Sequence, residues 1–147
     1  MTGVQTCALP ISHKGAKVEA LRLTSLEILD KIEELKKHDA VLIDEAQFFD
    51  EILSSVVWEL LKTGVNVYAS GLDMNFLGKG FPTMNRLMAM ADEVKKFHAV
   101  CEECGADAVV TGKRNFKEHG DIVEIGEKDL YMPLCRECFL KFMEEGA

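Results

Sequence analysis

Two groupings of residues in this chain have the types and spacing for chemistry. The first is a pair of Cys-x-x-Cys units, Cys101-Glu102-Glu103-Cys104 and Cys135-Arg136-Glu137-Cys138, separated by Gly105–Leu134. A two-residue gap lets both sulfurs of a unit turn towards one ion, and four thiolates complete the tetrahedral shell that zinc prefers. A shell closed by Cys101, Cys104, Cys135 and Cys138 leaves no position for water, so the expected role is structural. No secretory signal precedes the cysteines, which makes a disulfide framework the weaker reading. Two redox dithiols, or ordinary buried cysteines, remain the alternatives. Cys7 has no partner in this pattern and is assigned nothing.

The second grouping is an apolar run, Ala40-Val41-Leu42-Ile43, that ends in Asp44-Glu45. This is the general form of a Walker B element, in which the Asp holds Mg²⁺, usually through water, and the next carboxylate acts as a base or positions a nucleophile. A strand ending in Asp-Glu can equally be a solvated loop start. Phosphoryl transfer also calls for Gly-x-x-x-x-Gly-Lys-Ser/Thr, whose backbone N–H groups cradle phosphate. Gly78-Lys79-Gly80 has the wrong spacing and Gly112-Lys113-Arg114 falls among the cysteine-flanked strands, so the 147 residues contain no such loop.

The elements that must position these residues follow from periodicity. Thr24 and Glu27 have capping-box spacing, and Leu26, Leu29, Ile32 and Leu35 recur at helical intervals, predicting a helix to about Lys37. The run Ala40–Ile43 predicts a strand apolar on both faces, as in the middle of a parallel sheet. Asp50 can cap a helix carrying Ile52, Leu53, Val56, Val57, Leu60 and Leu61, with Gly64 just past its end. Val65–Ser70 predicts a strand, Gly71-Leu72-Asp73 a turn, Thr83 to about Ala91 a helix with Pro82 in its first turn, and Glu93–Val100 another strand. Between the cysteine pairs, Asp107–Asn115 and Asp121–Gly126 predict two strands joined by the polar turn Lys117–Gly120, the layout of a zinc ribbon. Strands alternating with helices imply an α/β domain with a parallel sheet, whose ligands bind beyond the carboxyl ends of the strands. Asp44-Glu45 and Leu72-Asp73 both fall at such ends.

Composition narrows the classes. Hydrophobic residues make up 48% and charged residues 29%, the balance of a globular protein. The net charge of −8, with no Lys/Arg block, disfavours a nucleic-acid polymer as partner while permitting an uncharged nucleoside. No apolar run is long enough to cross a membrane. Met1–Ile11 lacks both a signal-peptide pattern and periodicity, and is set aside as an unrelated leader.

These motifs carry a family resemblance. Val41-Leu42-Ile43-Asp44-Glu45-Ala46-Gln47-Phe48-Phe49 resembles the segment around the catalytic glutamate of the zinc-containing type II thymidine kinases. Gly71-Leu72-Asp73-Met74-Asn75-Phe76, with Phe81 after it, resembles that family's nucleoside-pocket segment. Ala99–Gly105 and Tyr131–Cys138 are similar to its zinc lobe, and Ser12-His13-Lys14-Gly15 with Val18-Glu19-Ala20 to the segment before the first helix. The resemblance runs in consistent order from Ser12 to Glu145.

The resemblance implies a P-loop-NTPase-like (RecA-like) α/β fold, incomplete at its N-terminus, with residues 1–11 as leader, 12–100 as partial kinase domain and 101–147 as a zinc-ribbon lasso domain. It implies Glu45 as the base for the nucleoside 5′-hydroxyl, Asp44 as the Mg²⁺ ligand, and Ala46 and Gln47 as further parts of the ATP site. Phe48, Leu72 and Phe76 would line the thymidine pocket, with Phe76 against the base. Thr111 would stand at the pocket edge beside Tyr131, and Ile122, Val123, Glu124, Ile125 and Gly126 would clamp the base through main-chain groups. Gly112 departs from the family pattern, which is expected to loosen its strand.

The implied cofactors are structural Zn²⁺ and Mg²⁺ with ATP. The implied partners are thymidine (deoxyuridine also possible), ATP, and dTTP as feedback inhibitor, in a cytoplasmic homotetramer serving pyrimidine salvage and DNA synthesis. Without a phosphate loop, the expectation is an N-terminally truncated kinase, inactive as it stands; the alternative is an inactive nucleoside-binding zinc-ribbon protein.

Overall fold

A computed structural model of the chain describes residues 20–114 and 130–145. They divide into two compact units: the described residues up to Leu72 together with Pro82–Met90, and Asp73–Phe81 together with the described residues from Ala91 onward.

The first unit opens with the predicted capping box. The Thr24 N–H donates to Glu27 Oε2 at 2.7 Å, and the Glu27 N–H donates to Thr24 Oγ1 at 3.3 Å. The helix that follows is shorter than its sequence pattern suggests. Helix α1 (Ser25–Asp30) stops at Lys31, and α2 (Ile32–Leu35) adds a single turn. Ser25 and Ile28 face inward, while Leu26 and Leu29 are exposed. The inward face is thus rotated from the leucine spacing, because Ser25 Oγ–H donates to Asp50 Oδ1 at 2.6 Å and turns that face towards the next helix. The same bond removes Asp50 from its expected cap; α3 (Ile52–Lys62) begins after Glu51 without a side-chain cap.

Helix α3 joins two strands, β1 (Ala40–Ile43) and β2 (Asn66–Ala69), which pair in parallel with Ala40 opposite Asn66 and Ile43 opposite Ala69. This is a β–α–β unit, the minimum in which parallel strands can be connected. Gly64 ends α3 with φ +85°, the left-handed geometry that glycine adopts at no steric cost. Leu53, Val56, Val57 and Leu60 form the buried stripe of α3, and Thr83, Met84 and Leu87 bury the facing side of α4 (Pro82–Met90). The expectation for β1 needs correction. Among the described residues it has one strand neighbour, and Leu42 is 79% exposed beside an exposed Tyr68 on the same face. Apolar composition alone does not show which face of the run the described residues cover.

The second unit is built from short antiparallel pairs. Only Ala99–Val100 (β3) of the expected strand Glu93–Val100 is extended in a ladder, and it pairs with β4 (Asp107–Ala108), not with the parallel sheet. The expected strand Asp107–Asn115 is likewise divided. Its second part, β5 (Val110–Lys113), pairs with β6 (Tyr131–Leu134), a strand the sequence reading did not assign, and α5 (Arg136–Glu145) follows. The predicted strand Asp121–Gly126 lies outside the described residues. Alternation sorts the β5–β6 faces: Val110, Met132 and Leu134 join Cys101, Ala108 and Phe139 in a core, with Gly112 on the same face. Gly112 therefore does not loosen its strand. A Cβ there would come within 2.9 Å of Leu134 Cδ1, so the absent side chain admits the leucine.

No helix among the described residues is long and apolar enough to cross a membrane. Leu53 is wholly buried in the first unit. Leu53→Ala should lower the unfolding free energy by about 2–5 kcal/mol, read from denaturant melts of the two chains.

Candidate functional site

At the carboxyl end of β1 the backbone departs from the sheet abruptly. Glu45 adopts φ +52° and ψ +42°, the left-handed region that non-glycine residues rarely occupy, at a cost on the order of 1–3 kcal/mol. Hydrogen bonds to the neighbouring strand end hold the turn. The Ala46 N–H donates to the Ser70 carbonyl at 2.9 Å, and the Ser70 N–H donates to the Ile43 carbonyl at 2.9 Å. The Phe48 N–H donates back to the Glu45 carbonyl at 3.0 Å, closing a 3₁₀ turn over Ala46–Phe48.

Side chains repeat this linkage. Asp44 Oδ1 accepts from the Glu45 N–H at 3.0 Å and from Ser70 Oγ–H at 2.7 Å. Gln47 is 6% exposed. Its Nε2 donates to Glu45 Oε2 at 2.5 Å, and its Oε1 accepts from the Leu72 N–H at 3.0 Å. One oxygen of each carboxylate is thereby held, and the other, Asp44 Oδ2 or Glu45 Oε1, has no hydrogen bond among the described residues. Both carboxylates are exposed. Such a pair has the donor set to hold a hydrated Mg²⁺ at Asp44 and to accept a proton at Glu45. Of the other residues singled out in this unit, Ala46 is fully buried within the turn, Phe48 is half-buried, and Leu72 is exposed just beyond β2. Ser70 was not among the sequence-selected site residues, and Gly71 entered only as the first residue of the segment Gly71–Phe76. Their signal was position, since they directly follow the strand parallel to β1.

In the second unit, Asp73–Phe81 forms a tight loop. Met74 and Gly80 make an antiparallel bridge, and the Asn75 side-chain oxygen accepts from the N–H groups of Leu77 and Lys79, both at 3.0 Å. This loop presents Phe76, 6% exposed, to Tyr131, with ring centroids 6.4 Å apart and planes tilted by 42°. Lys113 Nζ lies 5.1 Å from the Phe76 ring centroid, within cation–π range. Thr111 shares the face of β5 that carries Lys113, because the two alternate along the strand. The fold thus brings Phe76, Tyr131 and Lys113 together and aligns Thr111 with them. Lys113 was not among the sequence-selected residues, although its two-residue offset from Thr111 in a strand was the available signal for its place beside Phe76. Ile122, Val123, Glu124, Ile125 and Gly126 lie outside the described residues.

The four cysteines also converge in the second unit. The sulfurs of Cys101, Cys104, Cys135 and Cys138 all lie within 4.8 Å of one another, and Cys104 Sγ is 3.6 Å from Cys135 Sγ. A tetrahedron of thiolates with zinc–sulfur bonds of about 2.3 Å has sulfur–sulfur edges of about 3.8 Å, so the donor set fits such an ion. Each knuckle is shaped by backbone bonds. The Gly105 N–H donates to the Cys101 carbonyl at 2.9 Å with Gly105 at φ +75°, and the Cys138 N–H donates to Cys135 Sγ at 3.4 Å.

Four adjacent thiols cannot all ionise freely. A backbone hydrogen bond from Cys135 is the main influence that pulls the Cys101 thiol down to about 6. Its hydrogen bond with the Cys135 sulfur, aided by burial, pushes Cys138 up to about 12. At Cys104 the Ala106 backbone favours the thiolate, but the sulfurs of Cys135 and Cys101 outweigh it and raise the thiol. A divalent cation would relieve this competition by replacing the shared protons.

Known proteins carry the same arrangement of sequence. The family model described as thymidine kinase matches residues 5–139. A thymidine kinase from Bacteroides thetaiotaomicron is 47% identical over 109 residues, covering 74% of this chain and 54% of the relative. One from Pseudothermotoga lettingae is 38% identical over 132 residues, covering 88% of this chain and 69% of the relative. One from Bacteroides fragilis is 46% identical over 107 residues, covering 73% and 53% respectively. The chain thus spans about half the length of the Bacteroides relatives. With a family match across most of its residues and an acidic pair and four-cysteine cluster assembled by its fold, the chain belongs to the thymidine kinase family.

Proposed function

We propose that the protein carrying this chain transfers the γ-phosphate of ATP to the 5′-hydroxyl of thymidine, giving dTMP and ADP. The observation that supports this most directly is the exposed Asp44-Glu45 pair at the end of β1, held beside the end of parallel β2, in a chain of the thymidine kinase family. Glu45 accepts the 5′-hydroxyl proton at its carboxylate. The freed oxygen forms a bond to the γ-phosphorus, the bond to the β-phosphate bridging oxygen breaks, and ADP leaves with that electron pair. Mg²⁺, arriving with ATP, would be held through water at Asp44 and would offset the phosphate charge.

In this reading the fold is P-loop-NTPase-like with a zinc ribbon, residues 12–100 and 101–147 being its two parts. Ala46 and Gln47 flank the ATP site, Phe48, Leu72 and Phe76 line the nucleoside pocket with Thr111 and Tyr131, and Ile122–Gly126 clamp the base. Deoxyuridine as a second substrate, dTTP as inhibitor, a cytoplasmic homotetramer and a place in pyrimidine salvage belong to the same proposal. Zinc at Cys101, Cys104, Cys135 and Cys138 fastens the base of the pocket unit.

Three outcomes are expected. Glu45→Ala should lower phosphate transfer from labelled ATP to thymidine by about 10²–10⁴-fold in the protein carrying this chain, and an undiminished rate would remove Glu45 from the mechanism. Phe76→Ala should weaken thymidine binding, measured by calorimetry. Elemental analysis should find one zinc per chain, lost in Cys135→Ser together with the cooperative unfolding of the second unit.

A further inference from the structure

We propose that Gln47 is a positioning residue that aims the Glu45 carboxylate, and that Gly71 is glycine in order to leave room for it. The proposal rests on the reading of Glu45 as the proton acceptor and adds to it the group that orients that acceptor. The family resemblance by itself implies Gln47 as part of the ATP site. Its geometry assigns it a different task.

A side-chain amide has one accepting end and one donating end. The accepting end of Gln47 is fixed by the backbone N–H of Leu72 at 3.0 Å, which is a donor and nothing else. The NH₂ end must therefore point the other way, where it meets Glu45 Oε2 at 2.5 Å. An N–H group donating to a carboxylate oxygen is a charge-assisted hydrogen bond, stronger than a neutral one. The orienting amide is buried while the carboxylate it holds is exposed, so Glu45 is gripped from beneath and remains open above. To reach a nucleotide, the Gln47 amide would have to abandon both partners from a buried site, leaving the Leu72 N–H without an acceptor.

The strand opposite shows the matching constraint. A Cβ at residue 71 would overlap Gln47 Oε1 and would also stand 3.1 Å from the Ala46 nitrogen and 3.3 Å from the Gln47 nitrogen. Gly71 has no left-handed φ that would demand glycine. The space itself is what excludes a side chain. Ser70, the preceding residue, holds Asp44 at 2.7 Å in the same manner.

The test combines resonance and kinetic readouts. In the ¹⁵N-labelled chain, Glu45→Ala should shift the Gln47 side-chain NH₂ resonances while the Leu72 amide stays protected from exchange. Gln47→Leu should expose the Leu72 amide. Gly71→Ala, which keeps the glutamine but displaces it, should do both. In the protein carrying this chain, Gln47→Leu and Gly71→Ala should each lower kcat by about 10²-fold with KM for ATP and thymidine changed less than about two-fold, the signature of a misaimed group.

Unmoved Gln47 resonances in Glu45→Ala would overturn the proposal. So would an increase in KM for ATP on Gln47→Leu with kcat retained, which would make Gln47 a nucleotide ligand. If no phosphate transfer is detected in the unaltered protein, the kinase reading fails by itself, and the link between Gln47 and Glu45 is decided by the resonances.

Discussion

Where two parallel strands end side by side, the ladder that satisfied their backbone groups runs out, and something must replace it. Here the last ladder-like bonds are Ala46 N–H to Ser70 and Ser70 N–H to Ile43, and beyond them side chains take over. Ser70 reaches Asp44 from one strand end, and Gln47 reaches Leu72 from the other. The strained backbone at Glu45 survives because bonds on both sides of it would be lost if it relaxed. A carboxylate at a relaxed strand end would sample many orientations. One placed on this turn has few.

The second unit solves a different problem by a similar means. Its strands are two to four residues long and pair only two at a time among the described residues, too little ladder for independent stability. Its core is correspondingly compact, with Leu134 wholly buried against the glycine-made gap at residue 112. The four sulfurs gather at one end of that core, with Cys101 itself part of it. A structural ion there would contribute folding free energy directly, as in other small domains that bury too little apolar surface to stand alone. The opposite face of β5–β6 carries the cross-strand pair Lys113 and Tyr131, against which Phe76 lies.

Each unit fixes a small number of polar or aromatic groups through several contacts at once. Such fixing is what the proposed phosphoryl transfer asks of a scaffold, since that reaction depends on position and charge far more than on covalent participation by the protein. The chain belongs to the thymidine kinase family, and its local geometry ties Asp44, Glu45 and Gln47 to one another and to Ser70 and Leu72.

The sequence by itself determined much of this. Cysteine spacing specified the metal-type cluster, because a two-residue gap has few ways to place two sulfurs. The Thr24–Glu27 spacing specified a helix start, because both bonds of the box are local. The apolar run before Asp44-Glu45 specified a strand with carboxylates at its tip. What sequence could not decide were matters of partnership between distant residues. Asp50 has the chemistry of a cap but is taken by Ser25, Leu42 has the chemistry of a core but lies on an uncovered face, and β6 becomes a strand only because β5 is there to pair with it. Gly71 reads as a turn residue in one dimension. Only in three dimensions does the glutamine side chain from the neighbouring strand end fill the space beside it, because steric exclusion acts between atoms that the chain brings together and the linear order of residues does not record which those are.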